Sequence, residues 1–275
     1  MNDFFLSENS YGKSDVEIFV CLADDLWLQI VASIKIGGSF EGVFRDGSNA
    51  QILPTDTFSN HFEDLASGTQ GGDLYEIGVG ALERLMDCME DATVGTIDLS
   101  ATRWRKLASG MNSMVAEQPS VEVSIVRESD GSVAVSGSAK RRVIRPSGSS
   151  FVGFRRDYLT DKEDVESRIL FGDLFATWKY SSNIGDLYKS GLEVADQLVG
   201  AFGSVPSHSL QENLYKAAAT VLAARSDVDE ISVSFDSFGV QSIAPKSVNS
   251  SENSRLWRTM PRPVGTTYAK VARES

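Results

Sequence analysis

Apolar residues in this chain switch repeatedly between a period of two and a period near 3.6, and that alternation limits the possible folds more than any single motif. The stretches "SDVEIFVCL" (14–22) and "LWLQIVASIKIGGSFEGVF" (26–44) alternate apolar and polar residues, which predicts two strands, and the turn-rich "RDGSN" follows. After "LPTDT" the spacing turns helical over 56–66 and 72–90. It returns to strand in "TVGTIDLSATRWRKL" and "SVEVSIVRESDGSVAVSGSAKRRVIRP". Long strands around 133–145 and 167–180 then lead into two helical stretches, "IGDLYKSGLEVADQLVGAF" and "SLQENLYKAAATVLAAR", and two closing strands, "VDEISVSFDSFGVQSI" and "TTYAKVARE". The order reads ββααββ written twice, with a seam near "ESDGS" (128–132) and domains expected at 1–129 and 130–275. Such a chain is predicted to be α+β, with antiparallel sheets and both helices of each half on one face. Long exposed strand edges favour a symmetric assembly, and a closed ring of sheets would remove every edge.

Composition excludes several classes of function. With 275 residues and 41% apolar side chains the chain can bury a sizeable core. Its net charge of −12 argues against nucleic acid, which needs clustered Lys and Arg. The basic run "AKRRVIR" (139–145) lies in strand-like sequence and reads as a solvated face. No apolar run reaches the length of a membrane span, and the N-terminal residues lack the flanks of a signal peptide, so a cytoplasmic protein is expected. Cys21 and Cys88 sit among apolar neighbours and read as reduced core thiols. With His61 and His208 as the only histidines and no Cys-x-x-Cys or His-x-x-x-His spacing, no metal site is expected.

Helix starts are where unpaired amides and the dipole attract polar ligand edges. In "HSLQENLYK", Ser209 as N-cap and Glu212 at N3 form a capping box, leaving Leu210 and Gln211 in the first turn with free amides. Gln211 reads either as a surface glutamine or as a ligand-facing amide. In "LPTDTFSNHFEDLA", Pro54 keeps the chain extended and Thr55, Asp56 or Thr57 can cap the next helix. Arg168, entering an apolar strand, either snorkels to solvent or meets an acceptor, and a planar guanidinium suits a flat ligand edge rich in carbonyl oxygens. Phe151, ahead of Gly153, belongs either to the core or to the face of such a ligand. Lys13, at the start of the first strand, is either solvated or, if desolvated beside a threonine, a base.

Taken together, "FVGFRRDYLTDKEDVESRILFGDLFATWKY" (151–180) resembles the signature of the urate oxidase (uricase) family. The resemblance continues in order through "YGK" (11–13), "PTDT" (54–57), "TRWRKL" (102–107), "SLQENLYKAA" (209–218) and the closing prolines, glycine and Arg273. It implies two tandem ββααββ tunnelling-fold domains assembling into a barrel, a homotetramer with sites at subunit interfaces, a urate-like heterocycle as substrate, and dioxygen as co-substrate with no cofactor. It also implies roles for residues. Phe151 would stack on the purine, Arg168 and Gln211 would form a pincer on its edges, and the Leu210 amide would contribute. Thr55 and Asp56 would come from a neighbouring subunit, and Lys13 would act with that threonine to handle protons.

The chain also departs from the family, which the resemblance credits with an Asn-x-His after the last helix. Here "SFDSFGV" places Ser237 and Gly239 at those positions. Ser237 can still hydrogen-bond a water, while a glycine cannot relay a proton. His61 and His208 are the other candidates for that relay. Three readings follow: oxidation of urate, oxidation of a modified purine for which the small Ser237 and Gly239 leave room, or purine binding without turnover. The retention of Lys13 and Thr55 favours an enzyme.

Overall fold

A computed structural model describes residues 5–23, 26–69, 72–106, 113–117, 120–181, 185–204, 206–242 and 257–274. Leu107, Ile184 and Ile243, the end residues of three expected elements, lie outside the described residues.

The strands are β1 (Ser10–Ala23), β2 (Leu26–Gly38), β3 (Ala92–Lys106), β4 (Met114–Ala116), β5 (Val121–Glu128), β6 (Val133–Phe151), β7 (Val165–Tyr180), β8 (Val228–Ser242) and β9 (Trp257–Ala272). The helices are α1 (Glu41–Asp46), α2 (Thr55–Gly68), α3 (Leu74–Asp87), α4 (Leu187–Ser204) and α5 (Leu210–Ala224). The doubled ββααββ order is therefore present, with α1 and the short β4 added. Two expectations are corrected. β2 stops at Gly38 instead of running to 44, because Ser39 turns to donate its amide to the Asp91 carbonyl and α1 follows. The last strand begins at Trp257, well before "TTYAKVARE".

By compactness the chain forms two units: 1–138 with 179–192, and 139–178 with 193–275. This division cuts across the repeat, so domains at 1–129 and 130–275 stay a proposal that rests on element order.

In the first unit the strands run β1-β2-β3-β5-β6, with β4 on β3, and these neighbours pair antiparallel. Alternation in β2 buries Leu28, Ile30, Ala32, Ile34 and Ile36 on one face. The helices cover that face. α2 contributes Phe58, Phe62 and Ala66, and α3 contributes Leu74, Ile77, Ala81, Leu82 and Leu85. Asp73 caps α3 by accepting from the amides of Tyr75 (2.8 Å) and Glu76 (3.3 Å).

In the second unit the order is β6-β7-β8-β9. Leu174, Ala176 and Trp178 of β7 and Ile231, Val233 and Phe235 of β8 are buried, as are Val194, Leu198 and Phe202 of α4 and Leu214, Ala217, Ala218 and Val221 of α5. Phe202 stacks on Phe235 with centroids 5.1 Å apart.

Two surface expectations also change. Cys21 and Cys88 are free and exposed, not core thiols. The apolar neighbours of Cys21 are strand residues whose side chains point to the other face, and Cys88 is the C-cap of α3. The run 139–145 is only partly a solvated face, since Arg145 is buried and burial pushes the Arg141 guanidinium down. Among the described residues no helix is long and apolar enough to cross a membrane.

Candidate active site

In the first unit, β1 and the start of α2 bring Lys13, Thr55 and Asp56 into one neighbourhood. Gly12 allows no side chain, because a Cβ there would meet the Ile34 carbonyl oxygen at 1.8 Å. Directly after Lys13 the β1–β2 register slips, with Asp15 at a φ of 56°, and a bulge of this kind re-aims the neighbouring side chains. Tyr11 fixes the other side. Its hydroxyl accepts from the Leu53 amide (3.0 Å) and donates to Met89 Sδ (2.9 Å), while its ring meets Phe40 and Phe58 edge-on. Burial raises the Tyr11 pKa, the Leu53 bond opposing it.

α2 therefore begins where Lys13 Nζ reaches Asp56 Oδ1 at 2.7 Å. That contact holds the Asp56 carboxyl below the usual carboxylate range. The pair is open to water, with 38% of the Lys13 and 84% of the Asp56 side chain exposed, so it adds little to stability. None of Thr55, Asp56 or Thr57 is the cap: the N-cap is Pro54, without a side-chain cap bond, and Thr55 is the first helical residue. Lys13 thus meets Asp56, where the resemblance pairs it with Thr55.

In the second unit, β6, β7 and the start of α5 assemble a different group. Phe151 ends β6, and Arg168 of β7 sets its guanidinium carbon 4.9 Å from the Phe151 ring centre. Arg168 Nε is buried and has no hydrogen-bond partner among the described residues, and burial lowers the guanidinium pKa. The end of β6 is clipped to Ser207, shortly before α5. The Ser207 amide donates to the Gly148 carbonyl (3.0 Å), and the Ser150 amide donates to the Ser207 carbonyl (2.9 Å). Arg145 braces this turn from below, donating to the carbonyls of Ser147, Gly148 and Phe202 at 3.1, 2.8 and 2.8 Å.

Three residues beyond Ser207, α5 starts with Leu210 and Gln211. The expected capping box forms in shifted form. Ser209 Oγ accepts from the Glu212 amide (3.1 Å), and Glu212 Oε2 accepts from the His208 amide (2.7 Å) instead of that of Ser209. Leu210 is buried, Gln211 is exposed, and both amides sit in the first turn, where no intrahelical acceptor exists. His208 thus serves the cap through its main chain and is exposed, while His61 is half-buried on α2.

Ser237 lies half-buried on β8, paired with Gly265, and the register slips between Ser237 and Gly239. A Cβ at Gly239 would stand 2.9 Å from Met260 Cε, so the methionine fills the place a longer side chain there would take. Phe238, between them, lies edge-on to Phe171 and under the Arg142 guanidinium (5.1 Å). Arg142 in turn grips the buried Asp173 with two bonds of 2.6 and 2.9 Å, and Lys140 adds a contact at 3.3 Å. Those contacts hold Asp173 below the usual carboxylate range, the Arg142 bond being the larger cause.

The sequence missed Tyr11, Arg145 and Ser207 as positioning residues. Only Tyr11 carried a signal, as part of the quoted "YGK". Among the described residues no group of three or more His, Cys, Asp or Glu is placed to hold a metal ion.

The fold and these groupings define an α+β protein built on a doubled strand-pair, helix-pair plan. The uricase family model matches residues 134–258. The curated uricase of Arthrobacter globiformis is 23% identical over 274 residues, covering 98% of this chain and 90% of the relative. That of Dictyostelium discoideum is 21% identical over 279 residues, covering 98% and 97%. A crystal structure of the Arthrobacter globiformis uricase superposes with a TM-score of 0.87 at 21% identity, over 99% of this chain and 96% of that one. A structure of the Bacillus sp. TB-90 urate oxidase gives 0.78 at 18% identity, over 96% and 100%. The structural likenesses establish the tunnelling fold, and the family model and the curated relatives show what the sequence is similar to: uricases, along nearly the whole chain.

Proposed function

We propose that this chain is a uricase-type oxidase acting on urate or a closely related purine-like ring, with dioxygen as the oxidant. One observation carries the reading. The Arg168 guanidinium borders the Phe151 ring with a buried, unpartnered Nε, beside the clip that delivers Phe151 toward the first turn of α5. A buried donor left unpaired costs free energy, and a planar acceptor would satisfy it. Phe151 offers the face for stacking, while Arg168, Gln211 and the Leu210 amide offer donors to the edges.

In this reading Lys13, Thr55 and Asp56 enter each pocket as a set from a neighbouring protomer of a homotetramer, because the Lys13–Asp56 contact ties the set together within one chain. The ring, held as an anion, gives two electrons to dioxygen. Water adds to the oxidised carbon, so urate, dioxygen and water become the hydroxylated isourate and hydrogen peroxide. Lys13 acts as a base only after the ammonium that pairs with Asp56 has given a proton to water, which reaches so exposed a pair; the neutral amine then takes the proton passed on by Thr55. Ser237 holds a water near the ring, and no protein-bound metal, flavin or other cofactor takes part.

The decisive test is oxygen uptake by protein stripped of metal and flavin, assayed on urate and on N-methylated analogues. Uptake matched by peroxide release is expected. Tight binding of urate without uptake would replace the oxidase with a binding protein.

A further inference from the structure

Four side chains of the second unit form a continuous stack, and two of them, Phe154 and Arg156, have no role in the reading above. Phe151 and Phe154 lie nearly parallel, with ring centres 4.6 Å apart and planes at 11°. The Arg156 guanidinium carbon stands 4.4 Å from the Phe154 ring centre, and Arg168 borders Phe151. Arg156 is itself tied down by hydrogen bonds to the Lys162 carbonyl and to Asp164 Oδ1, the latter at 3.0 Å. Between those anchors Asp157 closes a turn, accepting from the Leu159 amide (3.0 Å) and from the Thr160 hydroxyl (2.7 Å), while Thr160 Oγ1 accepts from the Asp157 amide (3.0 Å). The segment after β6 thus folds back on itself and presses Phe154 against Phe151.

We propose that Phe154, backed by Arg156, is the positioning residue for the stacking face of Phe151. The inference rests on the uricase-type reading. A phenylalanine at the last residue of a strand has neighbours on one side only, and its ring would otherwise turn about the Cβ–Cγ bond. A parallel ring at stacking distance fixes that plane and covers one face, so a bound heterocycle has to take the opposite face, with the Arg168 guanidinium that borders Phe151 there moving aside to the heterocycle's edge. The cation on the outer side of Phe154 holds that ring by its negative face and keeps the stack closed when the pocket is empty. Preorganisation of this kind shows in ligand affinity, since a floppy ring must be ordered at the moment of binding.

The test is titration of urate into the protein without dioxygen, followed by steady-state oxygen uptake. Phe154→Leu is expected to bind urate about five- to tenfold more weakly. Its rate at saturating urate should match wild type, and Phe154→Tyr should restore the affinity. Arg156→Gln changes an exposed side chain and keeps the test valid if Phe154→Leu fails to fold; it should lose about two- to threefold. Unchanged affinity in the folded variants would overturn the inference. So would tighter binding, which would mean that Phe154 sits in the ligand's own place. Wild type that fails to bind urate would instead sink the uricase-type reading itself, which separates the two failures.

Discussion

The two halves of the candidate site are built on opposite terms. In the first unit Lys13 and Asp56 satisfy each other at the surface, in an ion pair that water can open. In the second unit Phe151 and Arg168 are packed into a stack, and the guanidinium carries a buried donor that nothing among the described residues accepts. A complete, exposed pair is suited to exchanging protons, and an incomplete, half-buried one is suited to gripping. The difference teaches that, in the proposed site, proton handling and recognition would fall to separate parts of the chain, which variants can test.

The largest expected effect is on turnover. Lys13→Gln should lower the rate at saturating urate by about 100-fold or more, with anaerobic urate affinity little changed. Equal loss in both would erase the division of labour. Next is the grip: Arg168→Ala should weaken urate binding by about 10- to 100-fold, which titration without dioxygen measures. A smaller and purely structural effect is expected at Asp173, which anchors Arg142 beside Phe238. Asp173→Asn should cost about 1–3 kcal/mol in denaturant unfolding.

The pH dependence of that last loss has a fixed sign. The folded state holds the Asp173 carboxyl below its ordinary value, so its contribution is complete above about pH 4 and disappears as pH falls through the depressed value. Wild type and Asp173→Asn should therefore converge in stability on acidification and differ at neutral pH. The smallest effect is at Gly239. Gly239→Ala should cost about 1 kcal/mol, because Met260 is flexible and 42% exposed and can yield, and a thermal melt of the double variant with Met260→Ala should recover it.

Much of the fold was legible because period and caps are local. The alternation of β2, the helical spacing of α3 and the Ser209–Glu212 cap all follow from side-chain order along a few turns. The misreadings are cases where local order is silent. The neighbours of Cys21 are apolar, yet in a strand adjacent side chains face opposite ways. Pro54 rather than a threonine precedes α2, since where that helix starts depends on a tyrosine hydroxyl bonded to Leu53 from a strand 42 positions away. Arg145 was indistinguishable in sequence from its solvated neighbours, and its bonds to the carbonyls of Ser147, Gly148 and Phe202, which no local pattern signals, go with its burial. The residues of the candidate site were named by resemblance; the brackets that aim them are long-range contacts, which no periodicity encodes.

The most direct test of the account is a crystal structure of the protein with urate bound in the absence of dioxygen. The account expects the flat ring against the Phe151 face turned away from Phe154, with the Arg168 guanidinium and the Gln211 amide on its edges. A ring bound elsewhere, or Arg168 and Gln211 pointing to separate places, would contradict it.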